Sequence, residues 1–217
     1  MSAPHLRPEL TEPPLCIAAL PRDKRGYPVP AFVDWINGEP EFRAMSRMFI
    51  AKAVRESLCW VCGLRIFGTE RTFTVGPMCA INRVSSEPPS HRECARWSVM
   101  NCPFLSRPQT VRRENDPSEN IKYNAGSALK HNPTVTLLWL TRHYYIEPDN
   151  GSLLFRLGNP FATEWFHMGQ PATRQQALGG IGVGLPKLRE MAELDGPEAV
   201  ALLKRQYEDA LHFLPKE

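Results

Sequence analysis

The chain has 217 residues, 42% of them hydrophobic and 23% charged, and a net charge of +3, the makeup of a globular protein with room for its own core. No apolar run approaches the ~18 residues of a membrane helix, the longest being Val135 to Leu140, and the Pro-rich start from Met1 to Pro14 lacks the apolar stretch of a signal peptide. A cytoplasmic address without membrane contact is therefore expected, with cysteines kept as thiols for metal binding rather than cross-linked.

Residues 1–14 read as a flexible arm. Leu15 to Leu20 reads as a short strand, and Pro21 to Gly26 as a basic loop. Ala31 to Ile36 and Glu41 to Met45 flank Asn37-Gly38, the signature of a tight hairpin turn. Ser46 can cap a helix that runs to Ser57 with an apolar side (Met48, Phe49, Ala51, Val54) and a basic side (Lys52, Arg55). Residues 15–57 thus form a hairpin and helix that deliver the chain to Cys59.

Residues 58–102 carry the chemistry. Cys59-Trp60-Val61-Cys62-Gly63 is a Cys-x-x-Cys pair followed by glycine, the form of a zinc knuckle. Leu64 to Phe67 and Arg71 to Val75, around Gly68-Thr69, read as a hairpin. Ser90 and Glu93 form a capping box, which starts a helix at His91 and places His91 and Cys94 on one face of its first turn. Two ligand pairs at these spacings make a tetrahedral zinc site of Cys59, Cys62, His91 and Cys94. Cys79 is an alternative to His91 as fourth ligand. Cys102 lies too far along the helix, ~12 Å of rise beyond Cys94, and Cys16 reads as a core residue. Knuckle, hairpin and helix start in that order resemble a treble clef over roughly Leu58 to Cys102.

Residues 103–133 read as a connecting segment, helical around Ala125 to His131. Thr134 to Ile146 reads as one strand, turning at Pro148 to Gly151 and returning as Ser152 to Leu157. In the 134–217 part, Thr173-x-x-Gln176 is a capping box that starts a helix at Arg174; Gly184 can end it, with Pro186 in the first turn of the next. A last helix from Glu198 to Phe213 has Ala199, Leu202, Leu203, Gln206, Tyr207, Ala210 and Leu211 on its docking face. The expected class is α+β: a treble-clef zinc module with short β-hairpins and a helical C-terminal part.

Four Cys/His ligands leave no open coordination position, which marks a structural zinc. A zinc hydrolase is the alternative. Read as His-x-Glu, His91 and Glu93 match the ligand and proton shuttle of nucleobase deaminases. The Cys-x-x-Cys here lies upstream rather than downstream, however, and Cys94 fills the water position. An HNH-type ββα-metal nuclease needs a general-base histidine on the hairpin, and Leu64 to Val75 has none. The Gly179 to Gly184 run resembles a phosphate-cradling loop, yet it lacks the P-loop ending and falls inside the helix begun at Arg174.

Charge points to a partner. Arg43 to Arg96 hold nine Lys/Arg against four Asp/Glu, residues 1–42 four against six, and residues 97–217 thirteen of each. A basic surface around the zinc site fits a nucleic acid, with Arg65, Arg71, Arg83, Arg92 and Arg96 as candidate contacts; the same excess also fits a solvated face. A scaffold that binds a protein through the C-terminal helices is the other non-enzymatic reading.

The segments Val75-Gly76-Pro77-Met78-Cys79-Ala80-Ile81-Asn82-Arg83, Glu87-Pro88-Pro89-Ser90-His91, Cys102-Pro103-Phe104-Leu105, Pro171-Ala172-Thr173-Arg174 and Gly184-Leu185-Pro186 resemble a group of uncharacterised proteins of bacteria and their phages. The resemblance implies a bacterial or phage setting and carries no activity or catalytic residue with it. The leading expectation is a zinc-stabilised binding protein associated with nucleic acid.

Overall fold

A computed structural model describes residues 9–42, 47–106, 135–149 and 152–216. In chain order the elements are α1 (Leu15–Ala18), β1 (Asp34–Ile36), β2 (Glu39–Glu41), α2 (Arg47–Glu56), β3 (Arg71–Val75), α3 (Pro77–Asn82), β4 (Val84–Ser85) and α4 (Arg92–Asn101). After them come α5 (Pro103–Ser106), β5 (Val135–Thr141), β6 (Tyr144–Asp149), β7 (Ser152–Leu157), β8 (Pro160–His167), β9 (Gln170–Pro171), α6 (Arg174–Asp195) and α7 (Pro197–Leu211). The class is mixed α+β, with short antiparallel sheets and C-terminal helices. The expected cap at Ser46, the helix around Ala125 to His131, and Asn150-Gly151 of the expected turn lie outside the described residues.

The sheet β3-β5-β8-β9 is the backbone of the molecule. Every residue of β5 is buried, as expected for a strand covered on both faces. Leu137 and Trp139 face the main core, with Phe73, Val75, Trp165, Ile181 and Ala210. Leu138 and Leu140 face the other way, against Ala95 and Val99 of α4 and Phe166 of β8. A second sheet, β4-β7-β6, closes the main core through Phe155 and Leu157. α4 thus has two duties: its middle backs the central sheet, and its first turn carries Cys94 into a separate small cluster with Ile17, Cys59, Cys62 and Ile66.

Several local expectations give way to tertiary partners. Leu15 to Leu20 starts as a helical turn, because the Pro14 carbonyl accepts from the amides of Ile17 and Ala18. Thr134 lies outside the described residues, and the rest of the strand expected from Thr134 to Ile146 falls in two strands of two sheets, β5 and β6. The break follows Thr141, whose hydroxyl donates to the His143 carbonyl and accepts from the His143 amide. Arg71 to Val75 does not pair with Leu64 to Phe67: it pairs with Thr141 to Leu137, and Leu58 bridges Arg65 inside the knuckle instead. The Asn37-Gly38 turn forms between β1 and β2, with the return strand ending at Glu41.

The Thr173 capping box forms: its side chain accepts from the Gln176 amide, and the Gln176 side chain accepts from the Thr173 amide. The helix it starts does not end at Gly184 but runs through Gly184 and Pro186 to Asp195. Two of its glycines, Gly180 and Gly184, are points of close contact there. A Cβ on Gly180 would sit 2.9 Å from the Val135 side chain, and one on Gly184 would meet Met78 of α3. In α7, Leu203 and Ala210 are buried, whereas Leu202, expected on the docking face, is exposed. Residues 9–14, read as part of an arm, lie along α4, where the Thr11 amide donates to Asn101 Oδ1 (2.9 Å) and Trp97 Nε1 donates to the Thr11 carbonyl (3.0 Å).

Candidate metal centre

The knuckle is built by backbone bonds. The Cys59 amide donates to the Leu64 carbonyl (2.7 Å), the Gly63 amide to the Cys59 carbonyl (2.8 Å), and the Ile66 amide to the Ser57 carbonyl (2.7 Å). Gly63 makes the turn at φ +74°, and a Cβ there would stand 2.8 Å from that of Ala31; glycine is required on both counts. Trp60, between the two cysteines, stacks on Phe32 at 4.9 Å and ties the knuckle to the N-terminal segment.

The second ligand pair is seated by β3. Ser90 pairs with Thr72, its amide donating to the Thr72 carbonyl (2.8 Å). With Ser90 held in this bridge, the helix starts one residue later than expected: His91 is the N-cap residue in extended conformation and makes no side-chain cap bond. The expected capping box between Ser90 and Glu93 is therefore not formed. Glu93 is exposed in the first turn of α4, with a carboxylate oxygen within 4.8 Å of the Cys94 and Cys16 sulfurs.

The four sequence-predicted donors come together. The Sγ atoms of Cys59, Cys62 and Cys94 and a ring nitrogen of His91 all lie within 4.8 Å of one another, close enough to hold a metal ion. His91 Nδ1 is 3.4 Å from Cys62 Sγ and 3.8 Å from Cys94 Sγ. The other ring nitrogen, Nε2, is 3.1 Å from the Arg65 carbonyl oxygen. A carbonyl only accepts, so Nε2 carries the proton and Nδ1 keeps its lone pair for the centre. Cys59 Sγ accepts from two backbone amides, Cys62 at 3.5 Å and His91 at 3.3 Å.

The three thiols share their charge unevenly. Cys59 is held far below the usual thiol range, first by the Cys62 and Cys94 thiols that donate to it. Cys62 is pushed up to about 12, chiefly by donating to Cys59, and Cys94 is pushed far up for the same reason. One negative charge satisfies this pocket; three need a cation to offset their repulsion. A cation held by all four residues has no protein-free tetrahedral position, the place where a hydrolytic zinc carries water.

The alternative ligand Cys79 stands apart, on α3 against the main core, where burial pushes its thiol up to about 11. Sequence reasoning missed Cys16, whose Sγ is 3.4 Å from that of Cys94. It also missed the Arg65 carbonyl. Neither leaves a local signal, since one is brought in by the fold and the other is main chain.

The five candidate arginines divide. Arg65 is exposed and has no ion pair among the described residues. Arg92 and Arg96 both reach Glu164 of β8, at 2.6 and 3.1 Å, and keep about half their side-chain surface exposed. Arg71 closes its own turn through the Gly68 and Glu70 carbonyls. Arg83 is committed to the fold: it donates to Asn159 Oδ1 (2.8 Å), pairs with Asp209, and lies over the rings of Trp139 and Phe213. Among the aromatic side chains, Trp165 and Phe166 are buried and Tyr145 is exposed.

No protein-family model matches the chain, and no curated protein or solved structure does either. Among the described residues no helix is long and apolar enough to cross a membrane.

Proposed function

We propose that Cys59, Cys62, His91 and Cys94 hold a zinc ion in a structural, treble-clef-like site, and that the protein is a zinc-stabilised binding protein whose partner is a nucleic acid. The donor set carries the metal reading. In a tetrahedron with Zn–S of about 2.3 Å and Zn–N of about 2.05 Å, sulfur and nitrogen stand about 3.6 Å apart. The two His91 distances, 3.4 and 3.8 Å, bracket that value. Thiolate and imidazole donors select zinc over the hard cations. The amides that donate to Cys59 and the carbonyl that fixes His91 are the outer contacts such a site uses. A knuckle and a helix start supply the ligands, as in a treble clef, although β3 takes β5 rather than 64–67 as its partner.

The partner reading rests on charge. The basic excess lies in residues 43–96, the stretch of chain that also carries the four ligands, and Arg65, Arg92 and Arg96, each within three residues of a ligand in sequence, keep exposed side chains. Arg71 and Arg83 have internal tasks and are the weaker contacts. The test is two-fold. Metal analysis of protein purified without added metal returns one zinc per chain. Retention on DNA or RNA at low salt then falls steeply as salt rises, and the triple change Arg65→Gln, Arg92→Gln, Arg96→Gln flattens that dependence by a slope of about three. Zinc-free folded protein overturns the first part, and absence of retention at low salt overturns the second.

A further inference from the structure

The Cys16 sulfur lies outside the four-donor set yet touches one of its members: Cys16 Sγ and Cys94 Sγ are 3.4 Å apart, and both cysteines are free thiols. This proximity is built in from two sides. Upstream, Thr11 is bonded to Asn101 and Trp97 of α4. Downstream, Ile17 is buried in the same small cluster as Cys59, Cys62 and Cys94. The turn α1 is thereby fixed against the helix that carries Cys94.

We infer that Cys16 and Cys94 form a redox pair: on oxidation by hydrogen peroxide they close into a disulfide that withdraws Cys94 from the metal site. A disulfide needs its sulfurs at about 2.04 Å, so closure brings the two sulfurs about 1.4 Å nearer than they stand. Access sets the order of steps. Cys94 is fully buried, whereas Cys16 is partly exposed beside Leu15, which is 90% exposed. The peroxide therefore meets Cys16 first. Its sulfur takes one peroxide oxygen to become the sulfenic acid, and water leaves. The Cys94 sulfur then attacks the Cys16 sulfur; the S–O bond breaks and hydroxide departs, taking up the Cys94 proton or, where an ion has displaced that proton, one from solvent, and the Cys94 lone pair that would hold an ion becomes the S–S bond. Two thiols and one peroxide give one disulfide and two waters. The loss of the ion rests on the zinc reading above, but the cross-link itself does not.

The test uses the full chain, purified with its metal under reducing conditions and then freed of reductant. One equivalent of hydrogen peroxide is added, free thiols are alkylated, and disulfides are mapped by peptide mass. A chromophoric chelator follows zinc release in parallel. The first disulfide is expected between Cys16 and Cys94, and Cys16→Ser is expected to slow release at least about tenfold, while Cys102→Ser releases at the unaltered rate. A first disulfide between Cys59 and Cys62, a Cys16 that remains free, or equal release from Cys16→Ser overturns the inference. A chain that carries no zinc from the outset refutes the metal reading instead, and the peptide map still decides the pair.

Discussion

The Nε2 atom of His91 stands 3.1 Å from the carbonyl oxygen of Arg65, across the knuckle from the helix that bears the imidazole. One hydrogen bond thus sets ring orientation and tautomer together and leaves Nδ1 as the free donor. Removing the ring by His91→Ala should weaken zinc binding by about two orders of magnitude or more in a competition with a chromophoric chelator. His91→Cys keeps four donors and should retain the ion. In the loaded wild-type protein, long-range proton–nitrogen spectra should show His91 protonated at Nε2 alone.

Zinc uptake should release protons. Without an ion Cys59 carries the charge, while Cys62, raised to about 12, and Cys94, raised further, keep their protons at neutral pH. Both protons must leave for the sulfurs to ligate, so binding near pH 7 should expel about two protons per ion. The sign follows: affinity falls as pH is lowered, because protons compete for the same sulfurs. Calorimetry in buffers of different ionisation enthalpy counts them, and a release near zero contradicts the arrangement.

Two neighbouring glycines of α6 should respond in opposite directions. A Cβ on Gly179 meets nothing within 4 Å, so Gly179→Ala should stabilise the protein by about 0.5–1 kcal/mol through helix propensity alone. Gly180 faces the β-branched Val135 of the central strand at 2.9 Å. Overpacking there should cost about 1–3 kcal/mol, more than the propensity gain. Thermal melts of the two variants should therefore move in opposite directions.

Glu164 holds Arg92 and Arg96 against β8 and keeps 16% of its side-chain surface exposed. Glu164→Gln removes their carboxylate partner. If these arginines meet a nucleic acid, retention should rise at low salt. Arg83→Gln gives the contrast: it forfeits Asn159, Asp209 and two aromatic faces, so it should cost about 1–2 kcal/mol of stability and leave retention nearly unchanged.

Which features were legible in the sequence follows from how local their causes are. Cys59, Cys62, His91 and Cys94 could be read because each pair is set within four residues, and the Thr173 capping box and the Asn37-Gly38 turn for the same reason. The partner of β3 could not be read, because it is a strand beyond residue 134. Ser90 has the composition of a cap but its main chain is claimed by Thr72. Gly184 and Pro186 look like helix punctuation, yet the helix continues where Met78 of α3 fills the space that a side chain on Gly184 would take. In each case a distant surface overrode a short-range preference.

Thr72 of β3 is paired with Leu140 and with Ser90. During synthesis these neighbours arrive at different times, Ser90 soon after β3 and β5 only when residues 76–134 have been made. The four donors therefore leave the ribosome well before the sheet that backs them is complete. An ion captured at that stage closes the chain from Cys59 to Cys94 into a loop and presents β3 as a waiting edge, shortening the search that β5 must make.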